Sequence, residues 1–250
     1  MKKEEVLFMN NNVAPQLAIL CWEYGHVPKG LLQLESLIGN STNLNTYPFN
    51  VRICRIKGAN IDSVLENPQK SVLEEMIRSS RELVKEGIKV ITTSCGFNAI
   101  FQKELSNAVD IPVYTSSLLQ VPFIHNVLPK DKIIGVITAK KSALKSEHLA
   151  SVGINNSMRI EIFGMESSNE WNKFLVKPEE VIDLKKISKD VIDVAVNATQ
   201  EFPNIAAFVF ECTDLPPFSQ QIREATGLPV YDFQTMLSNI ARSIGLVSWY

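Results

Sequence analysis

The sequence predicts an α/β fold made of two pseudo-symmetric parallel-sheet domains. Three observations predict it. Short β-rich runs alternate with amphipathic helical stretches, several runs are nearly continuous in Val and Ile, and one strand–cysteine–helix–strand pattern occurs twice. Near-continuous apolar strands are typical of parallel sheets buried on both faces, and the intervening helices supply the crossovers such sheets need.

The strands fall at 16–21, 50–56, 88–93, 111–114, 132–138, 158–162, 205–211 and 229–231. The clearest helix spans 70–86, with Val72, Met76, Ile77, Leu83 and Val84 on one face and Gly87 as its stop. Another is predicted over 178–199, opening at Pro178. Polar loops occupy 10–14 and 39–50, and the second is long enough to cover a site.

The repeat is specific. Residues 88–107 read strand, Thr92-Thr93-Ser94-Cys95-Gly96-Phe97, helix, and then Ile111-Pro112-Val113-Tyr114. Residues 205–226 read strand, Glu211-Cys212-Thr213-Asp214, a helix opened by Pro216-Pro217, and then Leu228-Pro229-Val230-Tyr231. The two cysteines lie 117 residues apart in a chain of 250, which fits two related halves rather than a solenoid.

Composition is that of an ordinary globular protein, with 45% hydrophobic and 21% charged residues. A net charge of -2 and the lack of any basic run give no basis for nucleic-acid or anionic-membrane partners. The apolar run Val6-Leu7-Phe8-Met9 is too short for a signal peptide or a membrane span, so a cytoplasmic location is expected, where thiols stay reduced. Cys21, Cys54, Cys95 and Cys212 form no Cys-x-x-Cys, and His26, His125 and His148 have no ligand spacing, so neither a disulfide nor a metal site is expected. Glycine-rich phosphate loops are absent.

Ligands of open parallel sheets bind beyond the carboxyl ends of the strands. A cysteine there stands at the mouth of a cleft and near a helix N-terminus, whose free N–H groups and dipole favour an anion. That setting is expected to lower a thiol from its usual value of about 8.5 toward neutrality, where it both takes and gives protons. The same helix ends suit a substrate carboxylate. Cys95 and Cys212 are therefore the candidate acid/base pair. The hydroxyls of Thr92, Thr93, Ser94, Thr115, Ser116, Ser117 and Thr213 supply hydrogen bonds to a substrate or cap helices. Cys54, inside a strand, reads as a small buried hydrophobe, and Cys21 ends the first strand without an echo elsewhere. Asp232 reads as a helix cap, Trp171 and Trp249 as packing residues, His26 and His125 as surface or loop residues, and His148 as part of a solvated helix.

Cys95 in "TTSCGFNA" and Cys212 in "ECTDLPP", with "IGN" at 38–40, "YPFNVRICRIKGA" at 47–59, "TSSLLQVP" at 115–122 and "IIGVITA" at 133–139, resemble an uncharacterised bacterial branch of the aspartate/glutamate racemase superfamily. The resemblance implies a first domain of 1–113 plus 232–250, with the C-terminal helix packed back on it, a second domain of 114–231, and a site between them. It implies cofactor-independent racemisation or epimerisation of a small amino acid or related carboxylate. One cysteine thiolate removes the proton α to the carboxylate and the opposite thiol returns one. Cys95 and Cys212 carry over as the catalytic pair and Thr213 as a substrate-binding residue. Thr93, Ser94, Gly96, Phe97, Thr115, Ser116, Ser117 and Trp22 complete the expected substrate-binding set, with no metal. A homodimer is the family expectation. Gly96-Phe97 departs from the Asn-Thr usual after the first racemase cysteine, and Cys21-Trp22-Glu23 departs from the usual Asp after the first strand. Whether Cys21 or Glu23 takes that place is open. The alternatives are a maleate-isomerase-like cis–trans isomerisation through a cysteine nucleophile, a cysteine hydrolase with His125 or His26 as base, and a non-enzymatic ligand binder.

Overall fold

The computed structural model describes residues 14–247 apart from Tyr24 and His26; the run 6–9, His26 and Trp249 lie outside the described residues. Eight strands form two sheets among them. β1 (Leu17–Cys21), β2 (Val51–Arg55), β3 (Val90–Thr93) and β4 (Val113–Tyr114) form the first, in the order β2-β1-β3-β4. β5 (Ile133–Thr138), β6 (Ile160–Gly164), β7 (Ile205–Phe210) and β8 (Val230–Tyr231) form the second, in the order β6-β5-β7-β8. Every pairing is parallel. The order is the same in both, so β3 and β7, which precede the two cysteines, occupy equivalent places.

Helices α1 (Lys29–Glu35), α2 (Lys70–Lys85), α3 (Gln102–Asn107), α4 (Val121–Val127), α5 (Ser146–Ser151), α6 (Asn169–Val176), α7 (Leu184–Glu201), α8 (Ser219–Thr226) and α9 (Phe233–Ser243) flank the sheets. α2 buries Val72, Met76 and Leu83, as its periodicity requires, and ends before Gly87, whose φ of +93° is the left-handed turn glycine favours. The helix expected from Pro178 starts instead at Leu184. Asp183 caps it by accepting from the N–H groups of Lys185 and Lys186, and Pro178 belongs to the preceding turn. α9 returns to the first sheet: Phe233, Met236, Leu237 and Ile240 pack with Leu17, Ile19, Val51 and Val90. Its N-cap is Asp232, which accepts from Thr235 N at 2.7 Å.

Three further differences bear on the site. Cys95 is followed not by an α-helix but by a 3-10 stretch, Gly96–Phe101, and α3 begins only after it. His148 is buried rather than solvated, because α5 packs on that stretch and sets the His148 ring edge-on to Phe97 at 5.7 Å. Trp171 is fully buried and donates its indole N–H to Ala139 O at 3.1 Å, which fixes the end of β5.

The second sheet leaves no room at Gly135, the register partner of Phe208. A methyl group there would lie 2.6 Å from Phe208 Cε1, and Phe208 is fully buried and unable to swing aside. Gly135→Ala is therefore expected to cost about 1–3 kcal/mol by overpacking. Thermal unfolding should show a midpoint lower by roughly 2–10 °C. An unchanged midpoint would contradict the packing described.

Candidate active site

A narrow cleft lies over the carboxyl ends of β1, β3, β5 and β7, where parallel sheets bind ligands. Trp22 follows β1, Ser94-Cys95-Gly96-Phe97 follow β3, Ala139 follows β5, and Glu211-Cys212-Thr213-Asp214 follow β7. Leu31 and Glu35 of α1, Phe174 of α6, Leu65 and Thr42 close it from above. Both sheets thus contribute a cysteine loop to one cavity. A negative charge on Cys95 is near enough to push the Cys212 thiol upward.

The two loops are tied to each other. The Thr213 hydroxyl donates to Ser94 O, and the Ser117 hydroxyl donates to Phe210 O. Gly96 sits so close to the other loop that a Cβ would meet Glu211 O at 2.1 Å and Glu211 Oε1 at 2.3 Å. Further clasps join the halves around the cleft. Asn40 Nδ2 donates to Asp214 Oδ1 at 2.7 Å, Gln33 pairs with the backbone of Ile182 through both its amide atoms, and Lys140 Nζ meets Glu66 Oε1 at 2.6 Å.

Both thiols are held in the neutral form, against the lowering expected from the sequence. Burial pushes the Cys95 thiol up, Glu211 adds to the push, and the Phe97 backbone N–H and the Trp22 indole act against it. Burial likewise raises Cys212, followed by the charges of Asp214 and Glu211. The reason is that no α-helix begins at either cysteine, while burial and carboxyl groups dominate. The pair is also asymmetric. Each thiol meets a backbone N–H that favours the thiolate, Phe97 at Cys95 and Asp214 at Cys212, but only the Cys212 S–H also faces a carboxyl acceptor, Asp214 Oδ2 at 3.6 Å. The buried Trp22 indole N–H is near enough to Cys95 to favour its thiolate but does not close a hydrogen bond to it.

Three carboxyl groups line the cavity, and no Lys or Arg does so among the described residues. Burial raises Glu211 to about 8, with Thr138 opposing and Asp214 adding. Burial and the charge of Asp214 raise Glu35 to about 7, with Arg55 and Thr42 opposing. Burial raises Asp214 to about 6 against hydrogen bonds from Asn40 and Cys212. None of the three is among the site residues expected from the sequence, although Glu211 precedes Cys212 and Asp214 follows it by two. Glu35 had no local signal, since only the return of α1 over the strand ends brings it there.

Of the expected site residues, Cys95, Cys212, Trp22, Ser94, Gly96, Phe97 and Thr213 line the cleft. Thr93, Thr115, Ser116 and Ser117 do not, because their polar atoms are engaged in the framework. The Thr93 hydroxyl donates to Thr115 O at 2.7 Å, the Thr115 hydroxyl donates to Gln102 Oε1 at 2.7 Å, and Ser116 caps Leu118 N at 3.2 Å. Cys21 lies under α9, and burial pushes it up to about 12. Glu23 accepts from Gly58 N at 2.8 Å. Neither Cys21 nor Glu23 lines the cleft; Trp22 between them does. His125 is also outside the lining, which leaves Cys95 without the base a hydrolase needs from that residue.

No protein-family profile matches the chain. Solved structures with similar architecture include a glycine-to-cysteine mutant of arylmalonate decarboxylase in its sulfate-associated form (TM-score 0.62, 14% identity, 94% of this chain and 95% of that one). They also include an aspartate racemase homologue from Pyrococcus horikoshii OT3 (TM-score 0.59, 12% identity, 94% and 100%) and allantoin racemase from Pseudomonas fluorescens (TM-score 0.55, 14% identity, 91% and 90%). The chain has the two-domain aspartate/glutamate racemase-like fold, and fold and relatives together make it an enzyme. The curated relatives carry a different name. The chain is 28% identical over 217 residues to "Dimethylsulfoniopropionate lyase" of Durusdinium sp. clade D, covering 83% of this chain and 71% of the relative. It is 28% identical over 193 residues to "Dimethylsulfoniopropionate lyase 6" of Emiliania huxleyi, covering 72% of this chain and 50% of that relative. The chain thus spans only about half the length of the latter.

These relatives overturn the racemase or epimerase expected from the sequence. The motifs around Cys95 and Cys212 report the fold and the thiol pair. They do not report what becomes of the electrons once a proton is removed, and that separates a lyase from an isomerase. As to the membrane, no helix among the described residues is long and apolar enough to cross one.

The raised carboxyls have a consequence for stability. Glu35, Asp214 and Glu211 bind protons more tightly folded than unfolded. Their contribution is complete below the ordinary carboxyl range and is lost as pH rises through about 6, 7 and 8. The unfolding midpoint should therefore decline between pH 5 and pH 9. A midpoint that rises steadily across that interval would contradict the assignment.

Proposed function

We propose that this protein is a carbon–sulfur lyase that eliminates dimethyl sulfide from dimethylsulfoniopropionate, or from a β-sulfonio carboxylate of the same shape, with Cys95 as the base. The observation that carries the reading is the cleft lining. Glu35 and Asp214, the aromatic side chains of Trp22, Phe97 and Phe174, and the lack of a lining Lys or Arg among the described residues suit an alkylated cation such as a sulfonium. The names of the curated relatives support the same substrate.

The chemistry balances without a co-reactant. The Cys95 thiolate takes a proton from the carbon next to the carboxylate. The C–H electron pair becomes a carbon–carbon double bond, and the C–S bond breaks with its pair left on sulfur. Neutral dimethyl sulfide and acrylate leave, and the proton on Cys95 passes to solvent. An elimination of this kind needs one base, which agrees with the asymmetry of the pair: only the Cys212 S–H faces a carboxyl acceptor. Substrate charge also assists. A sulfonium beside Asp214 offsets the negative charge there that helps hold the Cys95 thiol up, so with substrate bound the thiol proton passes to solvent and the thiolate forms.

The test is incubation of the purified protein with dimethylsulfoniopropionate and headspace gas chromatography for dimethyl sulfide. Wild type should release it, and Cys95→Ser should lose about 10²–10⁴-fold in kcat. Glu35→Gln should raise KM about tenfold, equivalent to ~1.4 kcal/mol, with less change in kcat. No release above an enzyme-free control, or wild-type release by Cys95→Ser, would refute the reading.

A further inference from the structure

Glu211 is the most deeply placed charged side chain of the cleft, with 0% of its surface exposed. Its Oε2 accepts from the Thr138 hydroxyl at 2.7 Å, but its Oε1 is buried and has no partner in the protein. The protein makes room for this orphaned oxygen at a cost in sequence freedom. A Cβ on residue 96 would fall 2.3 Å from Oε1 and 2.1 Å from Glu211 O, so only glycine fits there. An unpartnered polar atom in a closed core is a liability unless something completes it. Here the residue that carries it is one of those lining the substrate cleft, beside Cys212.

We propose that Glu211 is a further catalytic residue of this site, a carboxylic acid whose Oε1–H hydrogen-bonds the substrate carboxylate and stabilises the charge that spreads onto it as the α-proton leaves. The inference rests on the lyase reading for the identity of that carboxylate. Removing a proton next to a carboxylate makes an enediolate-like dianion, and a donor fixed at one of its oxygens is worth most in a water-poor site. Among the described residues no cationic side chain lines the cleft to do this, so a neutral acid supplies the donor. Of the groups facing Glu211, two hydrogen-bond donors favour its anion, and burial and neighbouring acids outweigh them. Thr138 and the Ala139 backbone N–H hydrogen-bond it, while Asp214 and the two thiols, Cys95 and Cys212, are acids whose negative forms would repel its own. Burial keeps Glu211 protonated to about pH 8. A neutral Glu211 also withdraws the charge that would otherwise raise Cys95, so one proton serves both the donor and the base. The cationic end of the substrate then lies toward Asp214 and Glu35, which unlike Glu211 are partly exposed.

Two substitutions separate donation from mere filling of space. Glu211→Gln keeps an N–H donor, and Glu211→Met keeps the volume without one. With dimethylsulfoniopropionate, Glu211→Met should lose about 100-fold or more in kcat with KM changed less, and Glu211→Gln should stay within about tenfold of wild type. Wild-type kcat should fall as pH rises through about 8, and the Gln variant should lack that limb. A folded Met variant within threefold of wild type, or a Gln variant as impaired as the Met variant, would overturn the proposal. A second readout needs no turnover. In protein carrying 13Cδ-glutamate, the resonance absent from Glu211→Gln should titrate near pH 8, and a midpoint at the ordinary ~4.3 would overturn the role whatever the substrate. Absence of dimethyl sulfide from wild type together with the high midpoint would instead count against the lyase reading alone.

Discussion

Everything in the cleft depends on how closely the loop after β3 meets the loop after β7. Gly96 lies against Glu211 with no room for a side chain, and Thr213 donates across to Ser94. That approach brings two thiols, one from each sheet, into a single cavity. It also buries Glu211 and Cys212 completely enough that solvation no longer sets their protonation. A side chain at residue 96 would part the loops, and the thiols, the acid and the aromatic walls would lose their common space together.

The electrostatics follow from that closure. Three carboxyls and two thiols share a narrow pocket with no lining cation among the described residues, so each resists ionising in the presence of the others. Such a site is costly when empty and favourable when it holds a positive charge. A sulfonium carboxylate matches it at both ends: the cation toward Glu35 and Asp214, the carboxylate toward the neutral Glu211. The arrangement couples binding to catalysis, because the charge that binds is the charge that lets Cys95 ionise.

Much of this architecture is legible in the sequence. The Val- and Ile-rich runs mark all eight strands to within two residues at most ends, because strands buried on both faces leave a continuous apolar signal. The matched contexts of Cys95 and Cys212 point to equivalent strand ends, where β3 and β7 lie. Three things were not legible. The backbone after Cys95 coils into a 3-10 stretch because Phe97 turns inward onto His148, a tertiary contact no local pattern records. The hydroxyls at 93 and 115–117 look like ligand donors but stitch the framework, since nearby backbone carbonyls and Gln102 claim them first. The reaction class was misread because a thiol at a strand end is equally suited to racemisation and to elimination. The carboxyls that discriminate come from Glu35, which only folding brings near, and from Glu211 and Asp214, which read as flanking residues.

The central claim is the orientation of a sulfonium carboxylate between the cysteine loops. A crystal structure of Cys95→Ser with dimethylsulfoniopropionate bound tests it most directly. The account predicts the sulfonium against Trp22, Glu35 and Asp214, the carboxylate at Glu211 Oε1, and the carbon between them facing residue 95. The reverse orientation, with the carboxylate toward Glu35 and Asp214, or a substrate lodged outside this cleft, would contradict it.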